Sequence, residues 1–104
     1  MQRIAFVMKL KGGQVAEYKY RHDEIWPEML AALRQAGIHN YSIFLHGDQL
    51  FAYLEVEDFE RMTKTLASDP TNARWQETMQ SLIEVTVDPQ SNFSTVLAEM
   101  FHMD

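Results

Sequence analysis

Apolar residues at Val15, Tyr18, Ile25, Met29, Leu33 and Ala36 recur three or four apart, the spacing of one helix face across residues 14–36, and His22 falls inside the same stripe. Gly37 follows as a C-terminal stop. Pro27 interrupts the helix, because it has no N–H to donate and pushes Trp26 out of helical geometry, so a kink or break is predicted around residues 24–27. Upstream, the short apolar run Ile4 to Leu10 ends in Lys11-Gly12-Gly13 and reads as a buried strand and a turn. Downstream, Tyr41 to Leu45 and Leu50 to Val56 are strand-like runs joined by His46-Gly47-Asp48-Gln49, a hairpin connection. Asp58 can cap a helix with the apolar face Phe59, Met62 and Leu66. Ser68-Asp69-Pro70 then stops that helix and starts another, which runs to about Leu82 and turns Trp75, Met79 and Leu82 inward. Ile83 to Val87 fits either a short strand or the helix end, and Val96 to Met103 is the last strand candidate.

Strand, helix, strand, strand, helix, strand is the order of the ferredoxin-like split βαβ pattern, an α+β fold whose antiparallel sheet carries helices on one face. The 104 residues suffice for one such domain with a single core. In the first strand, Phe6, Met8 and Leu10 alternate with Ala5, Val7 and Lys9, and both sets are mostly apolar. A sheet apolar on both faces needs two covers, which leads to a homodimer whose open sheet faces meet or enclose a cavity.

The formal net charge is −6 and no basic cluster occurs, which argues against nucleic acid, since that affinity comes largely from Lys and Arg neutralising phosphates. With no cysteine there can be no disulfide, thiolate nucleophile or Cys-based metal site. The N-terminal apolar run is only about five residues, too short to span a membrane, and it lacks a cleavage pattern, so a cytoplasmic protein is expected. No G-x-S-x-G elbow, P-loop or dinucleotide fingerprint is present.

His22 is the one histidine on the predicted buried helical face, and Tyr18 lies one turn before it. Two readings fit that placement: a core histidine satisfied by a carbonyl or by Tyr18, or a proton carrier beside a hydrogen-bonding phenol. His22, His39, His46 and His102 form no i, i+4 pair and no H-x-x-E-H type cluster, so no metal is expected. The remaining chemistry is aromatic: Tyr18, Tyr20, Trp26, Tyr41, Tyr53 and Trp75. Individually such residues serve as core. Gathered around one pocket they suit a neutral polyhydroxylated ring, covering its C–H bonds and hydrogen-bonding its hydroxyls.

The stretches EYKYRHDEIWPEM, GIHNYSIFL, LFAYLE, ARWQETM and VLAEMFHMD together make the chain resemble the L-rhamnose mutarotase family over essentially its whole length. The resemblance implies a ferredoxin-like subunit dimerised into an α/β barrel that interconverts the α and β anomers of L-rhamnose without a cofactor. It implies His22 as the proton donor and Tyr18, Tyr41 and Trp75 as sugar contacts. Gln76 stands where the family pattern has a second tryptophan, which implies a hydrogen-bonding contact in place of a stacking one. Mutarotation needs only acid–base chemistry: one proton to the ring oxygen, one from the anomeric hydroxyl, rotation about C1–C2 and re-closure. Two rivals share these residues. One is a cofactor-free monooxygenase on the same barrel, a fold-level analogy, and the other is a sugar- or metabolite-binding module without turnover.

Overall fold

The computed structural model describes residues 1–84, 87–88 and 93–104. Strand β1 (Gln2–Leu10) leads into helices α1 (Val15–Asp23) and α2 (Pro27–Gln35). A hairpin of β2 (Ile38–His46) and β3 (Gln49–Val56) follows, then α3 (Phe59–Ala67) and α4 (Pro70–Met79). The chain returns to the sheet as β4 (Ile83–Glu84), β5 (Val87–Asp88) and β6 (Phe93–Leu97). The sheet order is β2-β3-β1-β6-β5, with β4 also on β1 and every described pairing antiparallel. This is the α+β, ferredoxin-like arrangement expected from the element order, with each helical segment divided in two and the last strand in short pieces.

Local chemistry sets the divisions. Trp26 is extended (φ −62°, ψ 136°) because the following Pro27 excludes helical geometry there, and Pro27 then opens α2 at its first position. Asp58 accepts from the Arg61 N–H at 3.1 Å, and Asp69 accepts from those of Thr71 and Asn72 at 2.8 and 3.0 Å. Each such cap contributes about 1 kcal/mol. The hairpin turns on Gly47, whose φ of 63° suits a residue without a Cβ.

Phe6, Leu10, Leu50, Ala52, Leu54 and Val56 project from β1 and β3 to the helical side and are buried. They support two clusters. Ala36, Ile38 and Met62 complete the first, and Tyr18, Met29, Trp75, Met79 and Leu82 the second. Fully burying one large apolar side chain contributes roughly 1.5–3 kcal/mol, so these clusters carry most of the stability. Among the described residues no helix lies on the opposite sheet face. Phe44, Phe51 and Leu97 lie there at 67%, 36% and 41% exposure, beside Ala5 and Val7.

Three expectations change. Strand β2 begins at Ile38 rather than Tyr41, through an irregularity between His39 and Ser42. Val15 starts the helical stripe but is 46% exposed, at the end of α1. The last strand is Phe93–Leu97, not Val96 to Met103: adjacent Met100 and Phe101 break the alternation of a half-buried strand, and side chains tie the tail to β1 instead, through Arg3 to both oxygens of Glu99. Ile83–Glu84 is strand, while residues 85–86 of the ambiguous segment lie outside the described residues. No helix of the described residues is long and apolar enough to cross a membrane.

Candidate functional site

Helix α1 places Tyr18 and His22 one turn apart with their rings stacked, centroids 4.2 Å apart and planes at 29°. Nδ1 of His22 lies 2.9 Å from the carbonyl oxygen of Tyr18. A carbonyl can only accept, so Nδ1 carries the proton, and the neutral imidazole keeps its free lone pair on Nε2. Trp75, from α4, meets the His22 ring edge-on at 5.3 Å and the Trp26 ring at 5.2 Å. The break before Pro27 therefore does more than end a helix. It sets Trp26 against Trp75, which in turn bounds His22.

Tyr41 enters from β2, its ring edge-on to buried Phe6 at 6.3 Å. Tyr18, His22, Tyr41 and Trp75 all line one cavity of about 450 Å³, closed below by Leu10, Met29, Leu33, Ile43 and Leu50 and rimmed by Lys19 and Asp23. That volume lies in the range of small-molecule sites. Gln76 does not join them: it is exposed on α4, with its amide donating to Asn72 Oδ1 at 3.4 Å. Tyr20 is 61% exposed, and Tyr53 lies on the open sheet face with its hydroxyl donating to Glu55. His39 faces Glu57 at 3.8 Å and His102 faces Asp104 at 2.8 Å, both away from the cavity. Among the described residues no group of three His, Asp or Glu could hold a metal ion.

Burial governs the electrostatics. It raises the Tyr18 hydroxyl to about 12 and raises that of Tyr41 as well, with Tyr18 adding a smaller push. Tyr41 as a residue keeps 37% exposure. Burial lowers His22 below the usual 6.5, opposed by the hydrogen bond to the Tyr18 carbonyl and by Asp23. Near neutral pH the imidazole is thus mainly unprotonated and both phenols keep their protons. Neither phenol has a hydrogen-bond partner among the described residues. Two unpaired donors beside a free imidazole nitrogen form a surface suited to hydroxyl groups.

Two contributors escaped the sequence reading. Arg21 donates to the carbonyl of Thr78 and pairs with Glu17, making the one hydrogen bond between α1 and another element among the described residues. Asn40 adopts φ 49° at the irregularity in β2. A signal for the second was available, because Ile38 and Ile43 are five apart and strict alternation would send them to opposite faces.

A family model described as L-rhamnose mutarotase matches residues 3–103. The chain is 44% identical to the L-rhamnose mutarotase of Oceanobacillus iheyensis and 43% identical to that of Bacillus subtilis, with all of each chain covered. Among solved structures it is similar to L-rhamnose mutarotase from Formosa agariphila, with a TM-score of 0.83 and 34% identity over all of both chains. Tetracenomycin F2 cyclase from Streptomyces glaucescens shares the fold alone, at a TM-score of 0.67 and 14% identity over 100% of this chain and 98% of that one. These matches do not favour a monooxygenase or a binding module without turnover. A full-length match of this kind, on a chain that sets an imidazole and two phenols around one cavity, means that it belongs to the L-rhamnose mutarotase family, enzymes that interconvert sugar anomers.

Proposed function

We propose that this chain interconverts the α and β pyranose forms of L-rhamnose, with His22 exchanging the anomeric proton and Tyr18, Tyr41 and Trp75 holding the sugar. The observation that carries this reading is the orientation of His22: Nδ1 is committed to the Tyr18 carbonyl, and the ring lines the cavity beside two phenols. In the neutral form Nε2 takes the proton from the anomeric hydroxyl as the bond between C1 and the ring oxygen breaks. The ring oxygen gains a proton from a lining phenol or from water. After rotation about C1–C2 the hydroxyl re-adds to the other face of the aldehyde, returning its proton to that phenol or water, and His22 donates its proton to the new anomeric oxygen. Trp75 offers an apolar ring to the C–H face of the sugar. Gln76, outside the cavity lining, has no part in this scheme.

The active form is a cytoplasmic homodimer of one ferredoxin-like domain, supported by the helix-free sheet face with Phe44, Phe51 and Leu97 exposed. The role is in carbohydrate metabolism, and no cofactor is required by the chemistry. Saturation-transfer NMR on L-rhamnose, with the protein at micromolar concentration, tests the activity: enhanced exchange between the two anomeric signals is expected, and exchange at the spontaneous rate would overturn it. Sedimentation of the same sample should give twice the chain mass. A well-folded monomer would remove the dimer.

A further inference from the structure

Asn40 is not in the cavity, yet the cavity depends on how it bends β2. Ile38 pairs with Val56 and Ile43 with Ala52, and both partners face the helices, so Ile38 and Ile43 do too. Same-face residues of a regular strand are an even number apart, whereas these differ by five. One extra residue is therefore needed between them, and the register shift between His39 and Ser42 supplies it. The left-handed backbone of Asn40 lies at that point, a conformation that Asn tolerates and β-branched residues resist. The shift lets Tyr41, which alternates with Ile43, face inward together with Ile38, against Phe6 and into the cavity with Tyr18 and His22. Without it, a strand that kept Ile38 in the core would point Tyr41 from the open sheet face.

The bulge is also held from outside. Asn40 Nδ2 donates to Glu55 Oε1 at 2.6 Å, and the Tyr53 hydroxyl donates to Glu55 Oε2 at 2.9 Å. Glu55 is the strand partner of Arg3 on one side and of His39 on the other. The two donors, with Asn40 the stronger influence, keep the Glu55 carboxyl below the usual carboxylate range, so it is a charged acceptor at neutral pH.

We infer that Asn40 and Glu55 are positioning residues for the sugar site: the carboxylate on the open sheet face clamps the left-handed bulge that lets Tyr41 face the cavity on the other side while Ile38 stays in the core. The role of Tyr41 toward L-rhamnose rests on the proposed function; its orientation does not. The test therefore has two arms. NOE contacts between the Tyr41 and Phe6 rings report orientation without substrate, and anomer-exchange kinetics report function. In Asn40→Val and in Glu55→Ala the ring contact should weaken and KM for L-rhamnose should rise about tenfold, with kcat changed much less, as for loss of binding contacts. Asn40→Gly, which adopts positive φ freely, should keep the ring contact and most of the affinity. Should Asn40→Val not fold, Glu55→Ala and Asn40→Gly carry the comparison. Undiminished ring contact with KM within about twofold of wild type in folded Glu55→Ala would overturn the inference. A wild type with the ring contact but no anomer exchange would instead remove the proposed function and leave the orientation arm in place.

Discussion

The part of the core around Leu54 and Met62 and the part around Tyr18 and Trp75 rest on the same central strands, β1 and β3, and differ in what completes them. The first is wholly apolar, with Phe6 and Phe59 its aromatics, is covered by α3 and the end of α2, and leaves Leu54 and Met62 at 1% and 0% exposure. The second contains Tyr18 and Trp75 and adjoins the cavity. A helix that continued straight through Glu24 to Trp26 could pack the sheet with one stripe. The break at Pro27 gives α1 and α2 separate faces on the cavity, so the space between them is lined from both. Dense packing on one side provides the rigid floor, and incomplete packing on the other provides the site.

The largest expected effect breaks the chemistry without touching the packed half. His22→Gln should lower anomer exchange by about 10²–10⁴-fold while the melting temperature and L-rhamnose binding are kept, measured by NMR and thermal unfolding on the same samples. A loss only in proportion to the unfolded fraction would return His22 to the core. Wild-type pH dependence adds the sign. Because the folded state holds His22 below 6.5, exchange should fall as pH drops through that lowered value and level off above it. Stability should move the same way: below about pH 6.5 the unfolded chain binds the proton more readily, so His22 contributes a loss of stability on acidification.

The converse variant is Met62→Ala in the packed half. It should cost about 2–5 kcal/mol in denaturant unfolding, and exchange per folded molecule should be unchanged. If exchange collapses in the folded protein, the two halves are coupled and the contrast fails.

Smaller again is Tyr18→Phe, which removes a hydroxyl with no partner among the described residues. Stability should hold or rise slightly, and L-rhamnose affinity should fall by about 3- to 10-fold, the worth of one hydrogen bond. Unchanged affinity would show that the phenol does not reach the sugar. The smallest effect is expected at Gln76→Trp. Since Gln76 is exposed and bonded to Asn72, L-rhamnose affinity in an NMR titration should stay within about twofold, and a larger change would bring that turn of α4 into the site.

Wherever a rule acts over a few residues, the chain could be read directly. Pro27 dictates the helix break, Asp58 and Asp69 their caps, Gly47 the hairpin, and the stripe from Tyr18 to Ala36 the buried side of α1 and α2. The pairing of Tyr18 with His22 was equally legible, because one helical turn fixes their separation. The resemblance carried by the Tyr18 to Glu28 stretch then brought Tyr41 and Trp75 to the same site. Gln76 shows where that reasoning stops: adjacency to Trp75 in sequence is about 100° of rotation around a helix, and α4 turns Trp75 inward and Gln76 outward.

What the amino-acid sequence determined alone is the kind and order of elements, the aromatic and imidazole character of the candidate groups, and the ring neighbours within α1. Tertiary structure decided the rest. The tautomer of His22 follows from where its ring meets a backbone carbonyl, and the pKa shifts follow from burial that no local pattern specifies. The inward turn of Tyr41 is the clearest case. It is reconciled with the burial of Ile38 by one left-handed residue, whose side chain meets a carboxylate fifteen positions away in the chain that pairing of β2 with β3 brings to 2.6 Å. Side-chain periodicity is a property of neighbouring residues, but its phase across a bulge is set by the partner strand.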